Sequence, residues 1–405
     1  MTIPADHTSE IKAPQRKDTE RRALAVACGA HALHDGYTDL VYVMLPIWQG
    51  EFGLGFAALG LMKTVFSGTL AGFQIPAGFL AERFGAATVL ALGTALAGFG
   101  YVLAGFSDGV IFLVMALFVG GLGASTQHPL ASSLIAYAFA GARSLKALGT
   151  YNFAGDIGKM TLPAAAALLI IVLPWRHALM LLGALGAVAA LAIFLMMPRF
   201  HSDPPPLSKN QSNAHAGGAG RAYGFPLLLS VGVIDSATRM AFLTFLPFVL
   251  TAKGASLQTV GVALTLVFAG GAAGKLVCAI IGARIGVVAT VWLTETVTAL
   301  GILALLPLPL GAALMLLPVV GVALNGTSSV LYGSVPDLVE PAWRQRAFSI
   351  FYTGTIGAGA VSPAIYGLLG DAVGVPAALV VVAAVVLVTL PITLALRPAL
   401  VARPS

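Results

Sequence analysis

Charge is what this 405-residue chain has least of. Asp, Glu, Lys and Arg make up only 9% of it, against roughly 25% in an ordinary soluble domain. Meanwhile 58% is hydrophobic and the mean hydropathy is +0.93, which leaves too little polar surface to cover a soluble globule. Cysteine is nearly missing as well. Cys28 and Cys278 both fall inside apolar segments, which argues against a disulfide framework or a thiolate metal site. No Gly-x-x-x-x-Gly-Lys-Ser/Thr loop occurs, so ATP drive is not expected. His-Glu-x-x-His and paired Cys-x-x-Cys spacings are also missing, and neither a metal nor a cofactor is expected. Nothing pairs a nucleophile with a base as an intramembrane hydrolase needs, so the chain is not read as an enzyme. The first 22 residues are polar and lack the apolar core of a signal peptide. They read as a cytoplasmic tail. The formal charge of +6 does not imply nucleic acid, because the basic residues are scattered over short loops.

Long apolar blocks are what the chain has instead. Many reach 20 residues, the length that crosses roughly 30 Å of hydrocarbon. Helices are the expected spans, because a lipid-exposed backbone must satisfy its own hydrogen bonds. Breaks at Gly, Pro and charged clusters predict twelve of them, near 23–48, 56–80, 86–106, 109–136, 147–173, 176–197, 225–250, 257–281, 286–306, 309–335, 346–369 and 375–396. With the N-terminus inside, sixteen of the 22 Lys and Arg residues fall on the cytoplasmic side and two on the other. That bias predicts both termini in the cytoplasm and a multi-pass protein of the inner membrane. The expected division is a 1–22 tail, a six-helix bundle over 23–197, a Pro/Ser/Asn/Gly-rich linker over 198–224, a second bundle over 225–397 and a 398–405 tail. The longest soluble segment, about 27 residues, is too short to fold a signalling domain, which disfavours a non-transporting sensor.

The two bundles repeat at an offset near 200. Asp35 matches Asp235, Pro46 matches Pro247, and Glu82-Arg83-Phe84-Gly85 matches Ala283-Arg284-Ile285-Gly286. Residues Ala147–Pro163 and Ala347–Pro363 run from equivalent loop positions to a proline. Two parallel six-helix repeats with a solute site between them near midplane is the organisation of major facilitator transporters. The Gly78-Phe-Leu-Ala-Glu82-Arg83-Phe-Gly85 loop resembles that superfamily's Gly-x-x-x-Asp-Arg-x-Gly signature, with Glu82 for Asp and Ala86 and Ala87 in place of the following basic pair. The resemblance implies a gating loop whose charge clamp rests on Glu82 and Arg83.

Span 1 further resembles the fosmidomycin resistance family of efflux proteins. The matching stretches are His31-Ala-Leu-His34-Asp35, Leu45-Pro46-Ile47, Glu51-Phe52-Gly53-Leu54 and Leu59-Gly60. A second block is Gly121-Leu-Gly123-Ala-Ser125-Thr-Gln127-His128-Pro129, running on through Gly141-Ala-Arg143. The likeness is good over the N-terminal half and holds in outline over the rest. It implies export of a small anionic compound in exchange for protons. Leu130 replaces a family glutamate, and Gly155-Asp156-Ile157-Gly158-Lys159 replaces a glycine- and serine-rich stretch.

Ionisable side chains inside hydrocarbon cost several kcal/mol unless paired or hydrated, so each is a functional candidate. Proton coupling is expected of Asp35, Asp39, His31 and His34, which with Thr38 and Tyr42 follow helical spacing along span 1. His31, His34 and Asp35 also offer transition-metal donors, a reading ranked below proton exchange. Asp156 and Lys159, three apart in span 5, are placed to pair on one face, with Asn152 extending it. Asp235 and Arg239, at i and i+4 in span 7, suit an internal ion pair, and Arg239 equally suits a two-pronged clamp on a carboxylate or phosphonate. Lys63 in span 2 is expected to snorkel or to touch substrate, and Lys275 to snorkel. Softer substrate-site candidates are Gln127, His128, Tyr42, Asn325 and Tyr352. Glu295, central in span 9, has no assigned role. The expected partners are protons, a small anionic solute and the lipid bilayer, with a monomer as the functional unit. Uptake of an organic or inorganic anion is the alternative direction.

Overall fold

The structure is a computed structural model that describes residues 13–139, 142–198, 223–340 and 343–401. The start of the expected tail, most of the linker and Gly141, Arg199, Lys209, Arg221 and Arg403 lie outside the described residues. The first bundle comprises α1 (Ala13–Phe52), α2 (Phe56–Gly72), α3 (Gln74–Phe84), α4 (Ala86–Gly105), α5 (Val110–Ala124), α6 (Gln127–Ala138), α7 (Ala142–Val172) and α8 (Trp175–Met196). The second comprises α9 (Gly224–Ala252), α10 (Leu257–Ile285), α11 (Val287–Leu305), α12 (Leu310–Leu338), α13 (Arg344–Val373), α14 (Val375–Leu387) and α15 (Thr389–Val401).

Proline places the breaks within expected spans. Its ring meets the carbonyl four residues earlier and removes one helical hydrogen bond. Pro76 disrupts the turn at Gly72, and α2 and α3 meet there at 43°. Pro129 acts on Ser125, between α5 and α6, and Pro391 acts on Leu387, where α14 ends. Ten of the helices or joined helices are long and apolar enough to cross a membrane, or eleven with the bent α2–α3 pair. The remaining member of the expected twelve is α1. Its charged start and the His31-to-Asp39 stretch take it out of the apolar set. The repeat is preserved in the turns: Gly85 and Gly286 end α3 and α10 at φ of 86° and 82°, a conformation that a side chain would strain.

Two helix pairs related by the repeat join the bundles: α2 with α13 and α7 with α10. Gly60 lets α2 lie directly on the Pro363 carbonyl, and Gly261 faces Ala167 at the corresponding place. Asp371 of α13 accepts hydrogen bonds from the backbone N–H groups of Phe56 (2.6 Å) and Ala57 (3.0 Å), capping α2 from the opposite half. Thr265 Oγ1 donates to the Met160 carbonyl at 2.7 Å. These contacts lie at the end of the molecule far from the chain termini. There the interior is continuous, with Leu40 to Leu45 of α1 and Ala241 to Leu250 of α9 all buried.

Candidate functional site

Just below that sealed region, α1 and α7 approach closely enough to join their charges. Gly158 of α7 packs on the Ala32 backbone of α1, and a Cβ at Gly155 would stand 2.5 Å from Asp35 Oδ2 and 2.7 Å from His31 Cε1. Through this gap Lys159 Nζ reaches Asp35 Oδ2 at 3.4 Å. The other carboxylate oxygen faces His31 Nε2 at 3.3 Å and His34 Nε2 at 3.8 Å. His31 is oriented from behind. Its Nδ1 lies 2.8 Å from the Tyr151 carbonyl, which can only accept, so Nδ1 carries the hydrogen. Its ring also stacks on Tyr151 at 3.9 Å between centroids. His31 Nε2 makes no full hydrogen bond. Facing a carboxylate, it is attractive only when a proton resides on one of the two groups.

His128, brought in by the break before Pro129, meets His31 and His34 edge-on, with centroids 5.3 and 4.9 Å away. Donor atoms of His31, Asp35 and His128 lie within 4.8 Å of one another, a spacing that a metal could draw together. The Lys159 ammonium already occupies one side of Asp35, however, and opposes a second cation there. Gln127 is buried beside them, and its Nε2 has no hydrogen-bond partner among the described residues. Asp39, one turn along α1, has no ion pair under 4 Å among the described residues. Its charged neighbours are Lys159, Lys63, Asp35 and Arg239.

Several expected pairings are replaced. Asp156 does not pair with Lys159 along α7. It accepts two hydrogen bonds from Lys275 Nζ, at 2.6 and 2.7 Å, and so bridges the two halves. Lys275 therefore does not snorkel. Nor does Lys63, which is fully buried, donates to the Thr38 carbonyl at 2.7 Å and stands 4.2 Å from the Tyr42 ring centroid. Tyr42 itself donates to Met240 Sδ across the halves at 3.3 Å. Both belong to the sealed region in this conformation. Asp235 and Arg239 form no ion pair under 4 Å. Arg239 is half-buried and makes no side-chain hydrogen bond or ion pair among the described residues, while Asp235 is buried. Asn325 bonds its own helix at Gly321 and packs on Gly271 instead of facing the space between the halves. Asn152 is exposed, and Tyr352 (39% exposed) groups with Tyr332 at 6.0 Å. Glu82 and Arg83 are exposed beside Gly85, and Arg83 lies against the Phe84 ring. Gly78 lies in α3, with open space where a side chain would stand. An apolar groove of about 430 Å³ between α4 and α8, lined by Leu92, Phe99 and Val102, lies away from all these charges.

Sequence reasoning found Asp35 and Lys159 but missed the Asp156–Lys275 bridge, the Tyr151 stack and the role of Gly155. The available signal was bookkeeping of charge: Asp156 and Lys275 were both buried-span ions in need of a partner.

Long apolar helices in two repeat-related bundles, joined by helix pairs with buried charges between them, define a multi-pass membrane protein. The chain belongs to the Major Facilitator Superfamily, which it matches over residues 27–231 and 228–405. It is 31% identical over 194 residues to the probable sulfoacetate transporter SauU of Cupriavidus necator, a match covering 47% of this chain and 44% of that one. It is 24% identical over 185 residues to the fosmidomycin resistance protein of Escherichia coli, covering 46% and 45%. The chain thus spans less than half the length of these two curated relatives. Among solved structures, a bacterial homologue of the human lysosomal transporter Spinster aligns with a TM-score of 0.78 at 18% identity, covering 96% of this chain and 99% of that one. The nucleoside transporter NupG (D323A mutant) aligns at 0.74 and 16%, covering 93% and 99%.

Proposed function

We propose that this transporter carries a small anion together with protons by alternating access, with the proton on Asp35 and the anion on Lys159 and Arg239. The observation that carries this reading is the 3.4 Å contact between Lys159 and Asp35. While Asp35 is ionised, it neutralises the lysine. A proton on Asp35 removes that counter-charge and leaves the ammonium free to attract an anion. By linkage, an anion drawn to Lys159 favours proton uptake by Asp35 to the same extent. The two ligands therefore bind together and travel in the same direction.

That sign supports proton-coupled uptake over the antiport implied by the sequence resemblance. Export of an anion in exchange for protons requires the two to exclude each other, whereas this pairing makes them cooperate. Arg239, half-buried and without an ion pair among the described residues, suits a carboxylate, sulfonate or phosphonate through two parallel hydrogen bonds. The relatives' names point to the same substrate class, since sulfoacetate and L-galactonate (the latter from a probable transporter of Escherichia coli, 25% identical over 245 residues) are small organic anions. Antiport efflux remains the second reading, favoured by the fosmidomycin resistance relative. With the terminal end in the cytoplasm of a bacterial cell, the conformation is inward-facing: sealed at the far end, with the Lys159 and Lys275 side chains 31% and 41% exposed. A monomer holds the whole site.

Purified protein in proteoliposomes, with sulfoacetate as the probe anion, tests the reading. An inward pH gradient is expected to drive accumulation, and binding is expected to tighten as pH falls. Binding that weakens on acidification would favour antiport. Accumulation that persists undiminished in Asp35→Asn would remove Asp35 from coupling.

A further inference from the structure

Lys63 of α2 is a buried ion that the proposed cycle does not use. Its side chain is 0% exposed, and its Nζ donates to the Thr38 carbonyl of α1 at 2.7 Å. The ammonium stands over two rings, 4.2 Å from the Tyr42 centroid and 5.8 Å from that of Phe66. No carboxylate lies within 4 Å of it among the described residues, and Asp39, next to Thr38 in the chain, stays beyond that distance. Lys63 lies about two turns from the start of α2 at Phe56, whereas Thr38 lies about four turns from the end of α1 at Phe52. A snorkelling amine would take the short way to water at that far end. This one points inward. Ser67, one turn further along α2, is 6% exposed, and its Oγ has no hydrogen-bond partner among the described residues. Lys63 and Ser67, at i and i+4, share a stripe with Gly60, which lies on the Pro363 carbonyl of α13. The stripe therefore faces the other half of the molecule. Tyr42, whose ring covers the ammonium, is itself tied to that half through Met240 at 3.3 Å.

We propose that Lys63 and Ser67 form the receiving site for the anion in the conformation open at the far end. When α2 and α13 part there, Gly60 leaves Pro363, Tyr42 leaves Met240, and the ammonium and the unpartnered hydroxyl are uncovered together. Both groups donate, and a carboxylate or sulfonate accepts from both. An ammonium without a counter-charge in contact is costly in a dry site, and a bound anion supplies that charge. Lys159 and Arg239 take the anion over as the far end seals. The cargo assigned to this site rests on the proposed anion transport; its uncovering and its attraction for anions do not.

Thiol labelling of right-side-out vesicles tests the site without a substrate. Ser67→Cys, in the full-length protein carrying Cys28→Ser and Cys278→Ser, is expected to react from the far face with membrane-impermeant methanethiosulfonates. The sulfonate-bearing reagent is expected to react faster than the quaternary ammonium one. Lys63→Gln is expected to lower that ratio about tenfold, the loss of one charge-assisted contact. A cysteine that never reacts, or a ratio that ignores Lys63, overturns the receiving site. Transport of sulfoacetate in oriented vesicles then reads sidedness. Lys63→Gln is expected to raise KM about tenfold for entry from the far face and to leave KM from the terminal face unchanged. An equal rise from both faces overturns a site confined to one conformation. Wild-type vesicles that move no sulfoacetate would instead remove the anion-transport reading, and the labelling ratio would still decide whether Lys63 receives anions. Should Lys63→Gln fail to fold, Lys63→Met, an apolar chain of similar length, serves for both measurements.

Discussion

Asp35 and Asp235 occupy equivalent places in the two repeats, yet they keep opposite company. Asp35 is surrounded by bases: His31 at 3.3 Å, His34 at 3.8 Å and Lys159 at 3.4 Å. Asp235, equally buried, has no base within ion-pair distance among the described residues. The first arrangement is stable with or without a proton, since the lysine balances the carboxylate when the proton leaves. The second has no cation in contact to balance a carboxylate. One duplicated position thus holds a paired carboxyl in the first half and one without an ion pair among the described residues in the second. The difference lies in the neighbouring helices, since α7 supplies a lysine where the matching position of α13 is Gly359.

Experiments that break this contrast rank by expected effect. Asp35→Asn is expected to abolish pH-driven accumulation of sulfoacetate in proteoliposomes, by at least about a hundredfold, and to remove the pH dependence of binding; loss of one coupling ion pair is worth several kcal/mol. Lys159→Gln leaves the buried Asp35 carboxylate short of its cation. About 3 kcal/mol of stability should be lost by thermal or denaturant melting, and much of it regained in Asp35→Asn/Lys159→Gln. Gly155→Ala drives a methyl group into Asp35 and His31. Roughly tenfold slower transport with normal expression is expected, whereas Gly357→Ala, in open space in the second half, should leave transport unchanged and α13 slightly firmer. Asp371→Asn weakens the cap on α2. Labelling of a cysteine introduced at the far end should increase, consistent with a loss of about 1 kcal/mol from the closed state.

Much of this fold is written in composition and periodicity. Apolar length gives the spans, and the offset of 200 gives the repeat, because both are set by local chemistry and by duplication. Pro76, Pro129 and Pro391 follow the three internal breaks, but Pro46, Pro163, Pro247, Pro318 and Pro363 lie inside unbroken helices, so proline alone does not tell which spans break. The polar face of α1 was legible, and Asp35 stands at its centre. Partnership was less so. Helical spacing suggested Asp156 with Lys159 and Asp235 with Arg239, since neighbours on one helix are all that a local rule can see. The structure assigns Lys275 to Asp156 and Asp35 to Lys159, and leaves Asp235 without an ion pair under 4 Å among the described residues. Each of these pairs joins different helices, and a buried ion takes whichever partner the packing delivers. The glycines at 155 and 158 set which helices come close, a role that composition alone does not distinguish from the other 45.

The Asp371 bonds to Phe56 and Ala57 have a consequence for how the protein is made. The first turn of α2 is finished by a carboxylate that is synthesised 315 residues later. While the ribosome is still producing the second bundle, that turn has no protein partner for two of its N–H groups and must stay in contact with water or lipid headgroups. The first bundle can therefore enter the membrane early, but its mouth remains unfinished until α13 has emerged.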